Sequence, residues 1–96
     1  MQTQKYTAAE ACCEYYNIDI TFIDSLQEYG LIEMNTIEEK KVIDNEALQE
    51  LEKFIRLHYD LDINIAGIDA IKHLLERIKN LQDEILSLKN KLARYE

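Results

Sequence analysis

Residues 7–33 read TAAEACCEYYNIDITFIDSLQEYGLIE, and this stretch decides the fold. Thr7-Ala8-Ala9-Glu10 fits a capping box, in which a hydroxyl accepts from the third helical N–H while the Glu reaches back. The reading is a first helix running to about Tyr15, then a turn through Tyr16, Asn17 and Ile18. Asp19 is the next cap, and a second helix follows from Ile20 to Tyr29. Phe22/Leu26 and Ile23/Leu26 are four and three residues apart, so they share one buried face. Gly30 stands where a left-handed residue stops that helix. Two short helices joined by a tight turn make a helix-turn-helix.

Working outward, residues 1–5 read as a frayed start. Leu31-Ile32 and Val42-Ile43 are short β-prone pairs flanking a polar stretch, which predicts a small hairpin or wing. Asp44 caps a third helix carrying Leu48, Leu51, Phe54, Ile55 and His58, broken over Tyr59 to Ile63. Asp62 or Asn64 caps the last helix. The chain has no proline and only Gly30 and Gly67 as glycines, which argues for helices with tight connections.

The strongest periodicity comes last. Ile71, Leu74, Ile78, Leu81, Ile85, Leu88 and Leu92 recur in alternating three- and four-residue steps, and Tyr95 takes the next place. This is a heptad seam. A helix from Asn64 to Tyr95 is ~48 Å long at 1.5 Å per residue, while a head of some 60 residues is only about 30 Å across. The helix must outrun its own head, leaving the seam in water at a loss of about 1.5–3 kcal/mol per large apolar side chain. Pairing with a second copy removes that loss, so a homodimer is expected, with the flanking positions leaving the direction of pairing open. The fold class expected is mainly α. Residues 1–63 form a winged helix-turn-helix head with a small β wing, and residues 64–96 form a coiled-coil dimerisation helix.

The 96 residues carry a net charge of −8 from 19 acidic and 11 basic residues. Residues 1–50 hold eleven acids and three bases, whereas residues 51–96 hold eight of each, so the whole excess lies in the first half. Such a head is steered toward basic partners and away from nucleic acid and anionic membrane. No apolar run approaches the ~20 residues of a membrane span, and no signal-peptide pattern opens the chain. With adjacent Cys12 and Cys13 as the only cysteines, the reading is a reducing cytoplasm.

No nucleophile–base set, phosphate loop or metal-spaced cluster is found, so no catalytic, cofactor or metal site is expected and the protein reads as a non-enzyme. Cys12 and Cys13 point to adjacent helix faces and cannot share a metal, which leaves at least one as a small buried hydrophobe. His58 and His73 read as boundary or surface histidines, and Glu38-Glu39 as a solvated pair. The candidate partner-binding surface is acidic. Asp19, Asp24 and Glu28 follow one another along the second helix, and Glu10 and Glu14 repeat the four-residue step on the first. Complementary charge gives rate and specificity, and affinity needs anchors, for which Tyr15, Tyr16 and Tyr29 are candidates.

Helix, turn, helix, wing, third helix and dimerising coil is the order of elements in MerR-type proteins. Residues 6–33, closing on Gly30-Leu31-Ile32, resemble their helix-turn-helix. Residues 43–78, IDNEALQELEKFIRLHYDLDINIAGIDAIKHLLERI, resemble the second helical pair leading into the dimerisation helix. Within that group the chain looks most like CbpM-type chaperone modulators, above all from Leu48 through Ile71, with Arg56-Leu57-His58 followed by Leu61-Asp62-Ile63. The resemblance implies a cytoplasmic adaptor that binds a CbpA-type J-domain co-chaperone and keeps it from stimulating DnaK.

The departures from the DNA-binding pattern point the same way. Where those regulators place an arginine six residues before the Gly-Leu, this chain has Asp24, followed by Ser25 and Leu26. The wing neighbourhood is Val42-Ile43, with Lys40 and Lys41 close by, and no cysteine follows Cys13. An aspartate aimed at a phosphate opposes binding. The alternatives are a MerR-like DNA-binding transcriptional regulator, relying on Lys5, Lys40 and Lys41, and a structural dimerisation module whose head binds some other protein.

Overall fold

A computed structural model describes residues 5–95. Strand β1 (Tyr6–Ala8) leads directly into helix α1 (Ala9–Tyr16), and α2 (Ile20–Glu28) follows after a three-residue turn. Strands β2 (Met34–Ile37) and β3 (Lys40–Asp44) form the wing hairpin. A single 3-10 turn, Asn45–Ala47, then precedes α3 (Leu48–Ile55). α3 continues as a π-helical turn, Arg56–Asp60, and the chain ends in α4 (Ile65–Ala93).

The helix boundaries follow from local chemistry. Asn17 ends α1 in the left-handed region at φ 56°, a conformation asparagine tolerates. The Asp19 carboxylate accepts from the Thr21 N–H at 3.1 Å and caps α2. Gly30, at φ 73°, closes α2, and the Leu31 N–H donates to the Leu26 carbonyl at 2.9 Å. Asp44 accepts from the Glu46 N–H, so it caps the 3-10 turn ahead of α3. Asn64 accepts from the Gly67 N–H at 2.7 Å and starts α4.

Three expectations are corrected. Thr7 closes no capping box. It lies in β1, paired with Ile43, and its hydroxyl donates to Asn45 Oδ1, while Ala8, the residue at the cap position of α1, offers no side-chain cap. The wing is therefore one side of a three-stranded antiparallel sheet, ordered β1-β3-β2, because β3 offers ladder groups on both edges. Leu31-Ile32 is not a strand. Both residues drop into the core behind Gly30, and the hairpin starts at Met34. The third helix outlasts its expected break at Tyr59, because the π turn carries it to Asp60 before Asp62, at φ 60°, redirects the chain. The frayed start expected at residues 1–5 lies outside the described residues except for Lys5, whose carbonyl accepts from the Asn45 N–H.

The core gathers Cys12 from α1, Phe22, Ile23 and Leu26 from α2, Ile43 from β3, Leu51 and Phe54 from α3, and Ile68 from α4. Ile23, Leu26, Ile43, Leu51 and Ile68 are fully buried. The root of α4 is thus part of the head's core, and Lys72 strengthens it. Its ammonium donates to the Leu31 carbonyl and pairs with Glu50, each at 3.3 Å. From His73 onward every described residue of α4 is exposed. At 29 residues the helix is about 44 Å long, and it projects from a molecule measuring 59 × 40 × 20 Å. Among the described residues no helix is long and apolar enough to cross a membrane.

Candidate functional site: an acidic groove between the helix-turn-helix and the π turn

The structure divides the acidic residues singled out in the sequence into three groups. Glu10, Glu14 and Asp19 line one open groove of about 720 Å3 together with Cys13, Asn17, Ile18, Ile20 and Tyr59. Glu10 and Glu14 are one turn apart on α1, and Asp19 stands at the entry to α2. Asp24 belongs elsewhere. It faces the wing across a neighbouring cleft with Glu39 and Lys40, which Glu10 and Ile20 also border, and its Oδ1 lies 3.6 Å from Lys41 Nζ. That oxygen is covered and has no hydrogen-bond partner among the described residues, so the attraction to Lys41 is Coulombic. Asp24 therefore does not continue an exposed row with Asp19. Glu28 and Tyr29 are exposed at the far end of α2, away from the groove.

The tyrosines separate too. Tyr15 is exposed and meets the ring of Tyr16 edge-on, with centroids 4.9 Å apart. Tyr16 is a tie between α1 and α3. Its hydroxyl donates to Glu52 Oε1 at 2.8 Å, and burial, followed by that hydrogen bond and the charge of Glu52, pushes the phenol up to about 12.

Tyr59, which sequence reasoning passed over as a helix breaker, belongs to the groove. Its hydroxyl accepts from the Asp19 N–H at 3.3 Å, so the π turn is tied to the start of α2. His58 fixes the same turn from within. Its ring stacks on Phe22 at 4.7 Å, and Nδ1–H donates to the Ile63 carbonyl at 2.8 Å. The rings of His58 and Tyr59 meet edge-on, with centroids 4.9 Å apart, so His58 braces Tyr59 from behind the groove. A sequence signal did exist, because Ile20 is an apolar residue directly after a cap and off the buried face of α2.

The cysteines do no visible chemistry. Cys12 is buried in the core, and burial raises its thiol, with Cys13 adding to the effect. Cys13 is half-buried in the groove floor. Burial raises it first, then the negative charges of Asp19, Asp24 and Glu10. Both thiols are protonated at neutral pH.

The seam residues lie on the projecting helix. Leu74, Ile78, Leu81, Ile85, Leu88 and Leu92 are each at least half exposed in the single chain. Ile71 differs, being half-buried where α4 leaves the head beside Phe54 and Leu57.

A winged helix-turn-helix head with a long helix rooted in its core defines a class. Residues 7–90 match the model of the MerR HTH family regulatory proteins, and the chain belongs to that family. The chain is also similar to the chaperone modulatory protein CbpM of Pseudomonas entomophila (strain L48). The two are 26% identical over 84 residues, covering 86% of this chain and 83% of the other.

Proposed function

We propose that this protein is a chaperone modulator, a cytoplasmic adaptor without chemistry of its own. It pairs through α4 and presents acidic heads to the J-domain of a CbpA-type co-chaperone. Bound there, it keeps the J-domain from stimulating its chaperone. The observation that carries this reading is the similarity to a chaperone modulatory protein along nearly the whole chain. The pairing of Asp24 with Lys41 supports it, because this pair neutralises one of the wing's two lysines where a DNA-reading head needs free cations. The exposed α4 seam supports the dimer, since a second copy would cover side chains that the head cannot reach. The test is calorimetric titration against a purified CbpA-type J-domain protein at two salt concentrations. Saturable binding that weakens with salt is expected, and no binding at either salt overturns the reading.

A second reading is a DNA-binding transcriptional regulator. It is favoured by the family's regulatory helix-turn-helix and by Lys40 and Lys41 lying together on β3. Anisotropy with a labelled duplex tests it directly, and the charge of the head predicts no binding at physiological salt.

A further inference from the structure

We propose that the groove between α1, the start of α2 and the π turn is the seat for a single cationic amphipathic helix of the partner protein. This rests on the adaptor reading above and adds where on the head the partner sits and what it must present.

The floor of the groove is apolar and accessible. Ile20 is 39% exposed and Tyr59 46% exposed, with Ile18 and Cys13 half-buried beneath them. A floor of this kind in water is the feature that gives an interface its affinity. The rim has one sign. Glu10, Glu14 and Asp19 are its charged groups, and among the described residues no lysine, arginine or histidine lines it. The thiol of Cys13 registers the resulting field, since Asp19 and Glu10 of the rim, with Asp24 nearby, add to the effect of burial.

Charge and shape together choose the occupant. Phosphates and anionic lipid are repelled by the rim. A free small cation would leave the apolar floor in water. An extended peptide needs an open strand edge for its backbone, and the groove is walled by helices and a turn. A helix needs no backbone partner. Glu10 and Glu14, one turn apart, match lysines or arginines one turn apart on a helix laid alongside α1. The apolar stripe of that helix would then rest on Ile20 and Tyr59. The seat is formed in advance, because Tyr59 is held by the Asp19 N–H and His58 by Phe22 and the Ile63 carbonyl. Preorganisation of this kind lowers the cost of binding.

The experiment is the same calorimetric titration with the full chain carrying one of three substitutions, each first shown by thermal melting to be folded. Glu14→Lys reverses a rim charge. Ile20→Ser removes floor area without changing charge. Glu33→Lys makes the same charge change on an exposed site of the head that does not line the groove. Glu14→Lys and Ile20→Ser should each weaken binding by about tenfold or more, and Glu33→Lys by less than about threefold. Equal losses for Glu14→Lys and Glu33→Lys, or unchanged affinity for Ile20→Ser, overturn the seat and leave the adaptor reading standing. A wild-type chain that binds no J-domain protein overturns both.

Discussion

The carboxylate of Asp24 on α2 stands 3.6 Å from the ammonium of Lys41 on β3, so opposite charges face each other between the helix-turn-helix and the wing. Both side chains are about half exposed, and such a pair contributes little to stability, up to about 1 kcal/mol. Its larger effect is on what the head attracts. Asp24→Arg removes a negative charge, adds a positive one and leaves Lys41 free. A small destabilisation is expected in urea titration, together with the appearance of salt-dependent duplex binding in anisotropy. Strong duplex binding by the wild-type chain would contradict this account.

The seam on α4 predicts the assembly state. Light scattering should give twice the chain mass at micromolar concentration. Ile78→Asp combined with Ile85→Asp puts charge at the centre of the exposed stripe and should leave a folded monomer. The head should survive, because neither residue is part of its core. A wild-type chain of monomeric mass would remove the dimer.

The wing turn predicts a stabilising change. Glu38 and Glu39 adopt φ 51° and 67°, the left-handed region at both central positions of a two-residue hairpin. Asn-Gly is the pair suited to that turn. Glu38→Asn with Glu39→Gly should raise stability by about 1–2 kcal/mol, on the scale of the left-handed penalty for ordinary residues. Denaturant titration reads the gain, and an unchanged midpoint would sink the argument.

Gly30 predicts the opposite sign. It ends α2 at φ 73°, and a Cβ there would meet nothing within 4 Å. Gly30→Ala therefore reports backbone strain alone, with an expected loss of about 1 kcal/mol. Gly30→Asn should lose less, because asparagine visits this region more readily.

Tyr16 predicts the alkaline limb of stability. Its phenol is raised to about 12 by burial and by Glu52, against about 10 in the unfolded chain. The folded state holds this proton more tightly, so the contribution is fully present below about pH 10 and is lost as pH rises toward 12. Tyr16→Phe should flatten the fall in melting temperature across that window. An unchanged slope would show that the tie to Glu52 has no such effect.

Local signals were legible where cause and effect lie within a few residues. Asp19 and Asn64 cap their helices through hydrogen bonds spanning two and three residues. Gly30 stops α2, and the seam periodicity marks α4, because each depends on the chain's own near neighbours. Thr7 misled for the same reason. Its capping pattern was local, but β3 supplied ladder bonds from residues 42–44 and converted the segment to a strand. Leu31-Ile32 had strand-like residue types, yet its burial was set by the core that α2, β3 and α3 build around it.

The acidic surface divides along the same line. The sequence by itself determined that the first half is strongly acidic, that a helix-turn-helix precedes a wing, and that a long apolar seam outruns the head. Composition and periodicity carry those facts, and neither depends on contacts between distant residues. Only the tertiary structure decided which carboxylates act together. Folding brings Tyr59 to the Asp19 N–H across 40 residues and makes a groove rimmed by Glu10, Glu14 and Asp19. It turns Asp24 toward Lys41, in the neighbouring cleft. Charge is a property of the chain, but its direction is set by packing, because a side chain points where the buried face of its helix and the neighbouring strand leave room.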